Sequence, residues 1–457
     1  MSWLSLAEIA SIAGGRLIGA DAAVESLVTD TRALTPGQLF VALKGPHFDG
    51  HDFVGSKEVA NAIGVMVSRE VSISLPQIVV DDTLSALQRL AAAWREQLNL
   101  IVVGLTGSNG KTTVKEMIAA ILSQEGSVLA TRGNYNNHLG VPLTLLSIRA
   151  HHRHTVVEMG ANHSGEIAAL TKVTRPDVAL ITNAAAAHLE GFGSIEGVAK
   201  AKGEIFQGLR ERGTAVINAD DVYADYWRTL TGRSKCLTFG IEHAADLRWR
   251  AAGDGISCMT TPLGEVEVRL PLQGRHNVLN ALAATGVAVA AGAGLGSIKI
   301  GLESVTQVRG RLVMREGKQG ARLLDDSYNA NPGSLAVALE VLAQQPGEHW
   351  LVLGNMGELG ANGEILHGQA GELARASGVT RLYALGSLSK AAAAAFGIGA
   401  SHFDSHTALI DALGAEMRAG VSLLIKGSRC MRMEAIVEAL LAGDATRTPG
   451  AEREHAA

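Results

Sequence analysis

Aromatic side chains are scarce in this sequence, 4% of 457 residues, whereas glycine is plentiful at 53. A chain so rich in small residues suits tightly wound α/β layers with many strand-to-helix turns. Cysteine is nearly absent. Cys236, Cys258 and Cys430 are far apart, odd in number and show no C-x-x-C spacing. That pattern indicates neither a disulfide framework nor a cysteine zinc site, and it predicts free thiols in a reducing compartment. Positive charge is not in excess: the net charge is −5. This argues against a sequence-independent nucleic-acid binder, which needs a basic footprint, although one local site can still hold a small anion. No uninterrupted apolar run is long enough to span a bilayer. The opening M-S-W-L-S-L-A-E-I-A lacks a basic leading segment and carries Glu8 inside its apolar stretch. It reads as a helix or strand edge rather than a signal peptide, and the expected location is the cytoplasm.

What is present is an alternation of strands and helices. At roughly 150 residues per domain, the length suggests about three domains. The first, 1–82, reads as a small α/β unit with strand-like segments V-E-S-L-V-T-D-T-R-A, Q-L-F-V-A-L-K-G and Q-I-V-V. The second, 83–313, opens on a helix with Thr83 as N-cap and Leu84, Leu87, Leu90, Ala91 and Trp94 at helical spacing. The strands L-I-V-V-G-L-T, H-T-V-V-E-M, D-V-A-L-I-T-N and T-A-V-I-N follow, alternating with helices, so a largely parallel sheet is expected. Short strands and turns occupy about 235 to 272, and an Ala- and Leu-rich helix begins near Asn277. The third domain, 314–457, alternates most clearly. Strand A-R-L-L-D-D precedes a helix opening at Pro332. Strands H-W-L-V-L-G, R-L-Y-A-L-G and V-S-L-L-I-K-G are separated by helices around Ala370, Ala392 and Leu409, a Rossmann-like unit. The segment from Gly443 onward reads as a frayed tail.

Residues 104–113 read G-L-T-G-S-N-G-K-T-T, after a buried strand and before the helical V-K-E-M-I-A-A-I-L. In that setting backbone N–H groups and a helix N-terminus wrap phosphates. The usual G-x-x-x-x-G-K-[ST] spacing would place glycine where Leu105 stands; here the pattern is G-x-x-G-K-T-T. Gly107, Ser108, Asn109, Gly110, Lys111, Thr112 and Thr113 are the expected phosphate-binding residues. Lys111 would reach the β- and γ-phosphates and the Thr112 hydroxyl would ligate Mg²⁺. Such a loop predicts a nucleotide without naming a reaction.

Further motifs run along almost the whole chain: N-Y-N-N-H-L-G-V-P-L-T-L-L from 134, E-M-G-A-N-H-S-G-E-I from 158, T-N-A-A-A-A-H-L-E-G-F-G from 182, A-K-G-E-I-F from 201, G-R-H-N-V-L-N-A from 274, then R-G-R-L, D-D-S-Y-N-A-N-P and L-G-N-M-G-E-L-G. Together with the variant loop they resemble the Mur ligase family, which also includes folylpolyglutamate synthases. D-S-Y-N-A-N-P and G-N-M-G-E-L-G look like the branch that adds D-alanyl-D-alanine, and the D-N-P-R-type motif of the branch adding a diamino acid is not visible. The resemblance implies a UDP-binding first domain, a central P-loop parallel-sheet domain for ATP, and a Rossmann-like last domain for the amino substrate. It also implies the chemistry. ATP phosphorylates the terminal carboxylate of UDP-N-acetylmuramoyl-tripeptide, and the amine of D-alanyl-D-alanine displaces phosphate. A monomer using small-molecule substrates is expected.

The resemblance carries roles onto particular residues. Acyl-phosphate formation pushes two anions together, so cations must neutralise both. Glu158, at the end of H-T-V-V-E, is placed to share Mg²⁺ with Thr112, and His188 resembles the second metal ligand. Lys202 resembles a lysine often carbamylated by CO₂, with an exposed helical lysine as the alternative. Asn277 and Asn280, one turn apart, would face a nucleotide base, unless Asn277 merely caps its helix. Arg311 would move onto the γ-phosphate on closure, and Asp326 resembles a ribose-binding carboxylate. Lys115 would face phosphate or solvent. Asn137 and His138 are expected near the reacting carboxylate. Thr31, Arg32, Lys44 and Gly45, with H-D-F at 51–53, resemble the uridine-diphosphate grip. Asn355, Glu358, Leu359, Lys426 and Ser428 would shape the dipeptide pocket. The H-H-R-H run at 151–154 lacks the helical arrangement of a metal site and reads as a hydrated surface loop.

Overall fold

The computed structural model describes residues 3–45, 48–253 and 255–442; the expected tail from Gly443 lies outside them. The chain forms two compact units, Met1–Ala184 with Ala199–Val305, and Ala185–Val198 with Thr306–Ala457.

The first unit begins with β1 (Leu4–Ser5), β2 (Arg16–Ile18), β3 (Ala23–Val24), β4 (Ser26–Val28), β5 (Gln38–Val41), β6 (Gly64–Val67) and β7 (Gln77–Val79). β1 pairs with β3, and the others form a sheet of order β2-β7-β6-β5-β4, parallel except for β2. Phe40, Val65 and Val67 pack with Val54 and Val59 in its core. The first expected strand is shorter than its sequence suggested. After Val28 the Asp30 carboxylate accepts from Arg32 N and closes the single turn Thr31–Ala33, drawing the chain out of the sheet. The helix Thr83–Gln97 follows. Its N-cap is Asp82, whose carboxylate accepts from Ser85 N at 2.7 Å, and not Thr83. The buried Thr83 hydroxyl donates instead to the Ala42 carbonyl at 2.9 Å, pinning the helix to the small sheet.

The same unit continues with β8 (Ile101–Thr106), β9 (Val128–Ala130), β10 (His154–Glu158), β11 (Val178–Ile181), β12 (Thr214–Asn218), β13 (Lys235–Gly240), β14 (Leu247–Ala251), β15 (Ser257–Thr261) and β16 (Gly264–Val268). They form one sheet of order β16-β15-β14-β13-β12-β11-β8-β10-β9, parallel except that β15 runs against both its neighbours. The short strands expected at 235–272 therefore extend the central sheet. Val103, Leu105, Val156 and Leu180 are buried against the helices Lys111–Leu122 and Arg275–Ala290, through Val114, Ile118, Ile121 and Leu282. Burial on both faces explains why these strands read as continuous apolar runs. The chain passes from β8 to one side (β9, β10) and then to the other (β11, β12). The order therefore reverses at β8, where doubly wound sheets open a crevice at their carboxyl ends.

The second unit has β17 (Val313–Glu316), β18 (Arg322–Asp326), β19 (Glu348–Gly354), β20 (Arg381–Leu385), β21 (Ala400–Phe403) and β22 (Val421–Lys426), in the order β17-β18-β22-β19-β20-β21. Only the edge strand β17 is antiparallel. The last strand returns between β18 and β19, so Asp326, Lys426 and Gly354 end three neighbouring strands. Pro332 opens the helix Pro332–Ala343 as expected, with Asn331 forming a capping box with Ser334. No helix among the described residues is long and apolar enough to cross a membrane.

Candidate active site

The loop after β8 is set by backbone conformations that side chains would block. Gly107 has φ +149°, and a Cβ there would lie 1.9 Å from Thr182 Oγ1. Gly110, φ +80°, opens the helix Lys111–Leu122, and a Cβ there would lie 2.5 Å from Asn280 Oδ1. The segment following β11 holds the loop from outside. The Asn183 carbonyl accepts from Ser108 N at 3.0 Å, Asn183 Oδ1 accepts from Asn109 N at 3.0 Å, and Thr182 Oγ1 donates to the Asn109 carbonyl at 2.7 Å. Lys111 Nζ donates to the carbonyls of Gly107 and Ser108 at 2.7 and 3.2 Å. Its charge thus lies at the mouth of the loop, with the helix N-terminus beside it.

Thr112 and Glu158, picked from sequences 46 positions apart, are brought together: Thr112 Oγ1 donates to Glu158 Oε2 at 3.1 Å. Glu158 is 2% exposed, receives Asn136 Nδ2 on its other oxygen at 2.9 Å, and among the described residues makes no ion pair with a lysine or arginine. A carboxylate buried among neutral donors is costly to keep charged. A divalent cation beside it offsets that cost, so the hard oxygen donors Thr112 and Glu158 fit Mg²⁺. Asn136, Thr182 and Asn183 were not singled out from the sequence, although each lies within a motif; the signal for Thr182 and Asn183 was a short polar residue just beyond the buried strand β11.

Lys202 closes the helix Ile195–Gly203 and is 1% exposed, so the alternative of an exposed lysine does not hold. Burial, and secondly the charge of Lys111, push its ammonium down to about 7. Lys115 faces neither phosphate nor solvent: it is buried, donating to the Thr131 carbonyl at 2.7 Å and paired with Glu116 at 3.0 Å. Asn277 and Asn280 lie inside the helix, whose N-cap is Gly274, so Asn277 does not cap it. Asn280 Nδ2 donates to Asn277 Oδ1 at 3.2 Å, which gives the two amides the shared direction their spacing predicted. Asn137 Oδ1 accepts from the N–H groups of Leu139 and Gly140 at 3.1 and 2.9 Å, shaping the entry to the helix Gly140–Leu146; His138 is exposed.

In the small sheet, Thr31 and Arg32 follow β4, while Lys44 and Gly45 follow β5, its parallel neighbour, so both turns leave the same, carboxyl end of the sheet. Arg32 pairs with Asp30 at 2.7 Å, and Gly45 N donates to the Phe48 carbonyl at 2.9 Å. His51 is fully used: Nδ1 meets Asp49 at 2.6 Å and Nε2 accepts from Ser68 N at 2.8 Å. The H-H-R-H run is not wholly a surface loop, since His154 is the buried first residue of β10. It belongs to no cluster of three His, Cys, Asp or Glu fit for a metal among the described residues.

The second unit brings together residues expected to serve different substrates. Asp326 and Lys426, 100 positions apart, stand opposite each other on β18 and β22 and form a buried ion pair. Burial lowers the Lys426 ammonium pKa, and the Asp326 charge opposes that shift. Lys426 also donates to the Asn329 carbonyl at 3.0 Å. The Arg311 guanidinium stacks 4.1 Å from the Tyr328 ring centre, and its Nε is buried without a hydrogen-bond partner among the described residues. Ser428 N donates to the Asn355 carbonyl at 3.0 Å, and Ser428 Oγ accepts from Gly357 N at 2.6 Å. Leu359 is buried. Glu358 is exposed and pairs with His188, which belongs to this unit.

A glycine-gated loop at the switch point of a parallel sheet, with a lysine and a threonine–carboxylate pair at its mouth, defines a P-loop mononucleotide-binding protein. Residues 105–288 match the model of the Mur ligase middle domain, and 310–429 match the Mur ligase, glutamate ligase domain. The UDP-N-acetylmuramoyl-tripeptide--D-alanyl-D-alanine ligase of Escherichia coli is 48% identical over 96% of this chain and 98% of its own length. The enzyme of the same name from Bacillus subtilis is 35% identical over 92% and 93%. A crystal structure of MurF from Acinetobacter baumannii superposes with a TM-score of 0.87 at 35% identity, over 94% of this chain and 97% of that one. MurF ligase from Thermotoga maritima in complex with ADP gives 0.79 at 29% identity, over 91% and 96%. The chain belongs to the Mur ligase family and is an ATP-dependent ligase.

Proposed function

We propose that this enzyme joins D-alanyl-D-alanine to UDP-N-acetylmuramoyl-tripeptide, producing the pentapeptide, ADP and phosphate for peptidoglycan synthesis. The observation that carries the reading is near full-length identity of 48% to a ligase of that name, together with a phosphate loop whose conformation only glycine permits at Gly107. In the first step a carboxylate oxygen of the tripeptide bonds to the γ-phosphorus as the bond to ADP breaks. The free amine of the dipeptide then attacks the acyl carbon, losing a proton, and phosphate leaves with the electron pair of its C–O bond.

This chain's residues act by position and charge. Loop N–H groups and Lys111 steady the transferring phosphoryl group. Thr112 and Glu158, with His188 and Lys202, would hold Mg²⁺, which when bound supplies charge neutralisation between the carboxylate and the phosphates. Carbamylation of Lys202 would add oxygen donors, since its unprotonated amine can bond CO₂ carbon and release a proton. A mass measurement in bicarbonate that finds only bare amine opposes this. Asn277 and Asn280 face the base, Asp326 the ribose and Arg311 the γ-phosphate. Thr31, Arg32, Lys44 and Gly45 grip the uridine diphosphate, Asn137 and His138 lie near the reacting carboxylate, and Asn355, Glu358, Leu359, Lys426 and Ser428 shape the dipeptide pocket. The domain roles follow 1–82, 83–313 and 314–457 for UDP-sugar, ATP and amino substrate. The enzyme acts in the cytoplasm as a monomer. Phosphate release should require ATP, the UDP-tripeptide and D-alanyl-D-alanine together; equal turnover with a single amino acid defeats the substrate assignment.

A further inference from the structure

Within the second unit, the segment Ala185–Val198 lies against the loop that follows β19. Glu190 N donates to the Glu358 carbonyl at 3.0 Å, and a Cβ on Gly360 would lie 3.3 Å from Glu190 Cα, so the two backbones are in close contact. His188 and Glu358 both have left-handed backbones, φ 54° and 59°, a conformation uncommon for side chains of this size. Those conformations set Nδ1 of His188 against a carboxylate oxygen of Glu358, in an ion-pair contact rather than an aligned hydrogen bond. The loop carrying Glu358 is itself fixed from three sides. Asn355 Oδ1 accepts from Ser389 N at 3.0 Å, Met356 N donates to His367 Nε2 at 2.8 Å, and Gly357 N donates to Ser428 Oγ at 2.6 Å. The histidine is held on its own side by the helix Leu189–Phe192 it opens and by an edge-on Phe192 ring, centres 6.4 Å apart.

A carboxylate beside one ring nitrogen favours the tautomer with its proton there and leaves the other nitrogen as a lone-pair donor. Metal-ligating histidines are commonly backed this way, and the backing raises their basicity. We propose that Glu358 is a positioning residue for His188: it keeps the proton on Nδ1 and presents Nε2 to a divalent cation. Glu358, assigned by resemblance to the dipeptide pocket, has its carboxylate against the histidine. The inference rests on the reading of His188 as a metal ligand.

The test uses the full chain with ¹⁵N-labelled histidine. In metal-free protein, His188 should show the Nδ1–H tautomer. Glu358→Gly relaxes the positive-φ backbone, so it should fold at least as well, yet it should shift the ring toward Nε2–H. Glu358→Gln keeps a carbonyl acceptor and should retain Nδ1–H. Mn²⁺ binding in the presence of ADP, read by electron paramagnetic resonance, should weaken about tenfold or more in Glu358→Gly and much less in Glu358→Gln. An unchanged tautomer in Glu358→Gly overturns the positioning role while leaving His188 as a ligand. Undiminished Mn²⁺ affinity in His188→Ala overturns the ligand reading, and the proposal with it, by a separate measurement.

Discussion

At Gly107 the fit between loop and strand end is decided by one missing methyl group. A Cβ there would meet Thr182 Oγ1 at 1.9 Å on a backbone of φ +149°, so Gly107→Ala must move either the loop or the segment that holds it. The expected outcome is loss of nucleotide binding in a chain that otherwise folds, checked by titration calorimetry with ADP and Mg²⁺ against circular dichroism. Lys111→Ala keeps the glycines that set the loop's backbone but removes its charge and the bonds from Nζ to the Gly107 and Ser108 carbonyls. Turnover should fall by about 100-fold or more, and phosphate release near the wild-type rate would refute the assignment. Both residues were legible because the strand–glycine–lysine–helix order is local. The Asp326–Lys426 pair was visible only as two separate polar strand ends. The sequence does not show that β22 returns beside β18, so an expected ribose ligand and an expected dipeptide ligand turned out to neutralise each other.

Elements are held in register by a few buried polar contacts. Arg95, on the helix Thr83–Gln97, is wholly buried. It donates to the carbonyls of Thr174 and Arg175 at 3.2 Å and to Asp177 at 2.7 Å, while the same Asp177 oxygen accepts from Val102 N at 2.9 Å. Asp177→Ala would leave a guanidinium buried without its carboxylate, which costs about 3 kcal/mol; urea denaturation should report a loss of unfolding free energy of that size. His367 plays a similar part in the second unit, with Nδ1 donating to the Gly363 carbonyl at 2.6 Å and Nε2 accepting from Met356 N. Burial lowers its pKa, the Gly363 bond opposing. The folded chain therefore keeps the ring neutral where the unfolded chain, titrating at about 6.5, takes up a proton. Stability should fall as the pH drops below about 6.5 and level off beneath the lowered folded pKa. In His367→Gln that slope should flatten in chemical denaturation between about pH 7 and 5; an unaltered slope would assign the acid sensitivity elsewhere. Neither contact was legible, because a histidine or arginine on a helix gives no hint of which carbonyls it reaches.

For the molecule as a whole, the alternation of apolar runs with helical periodicity announced two parallel-sheet modules after a small first one, since strands buried on both faces carry that pattern in their composition. Two large-scale features escaped it. The short strands from 235 to 268 carry no mark of which sheet edge they join, and they lengthen the central sheet through β13. The segment Ala185–Val198, inside the 83–313 stretch of the sequence, packs with the second unit. The nucleotide-loop assignment nevertheless makes a prediction at this scale. Binding to the folded chain alone stabilises it by mass action, about 2.7 kcal/mol at a hundredfold excess of ligand over Kd. ADP with Mg²⁺ should thus raise the thermal midpoint of the wild type by a few degrees. If Thr112 and Glu158 hold the cation, chelation with EDTA should remove most of that rise, and Glu158→Gln should reproduce the loss even with Mg²⁺ present. A full shift in both conditions would mean that the nucleotide is held without the cation site, and the buried carboxylate would need another explanation.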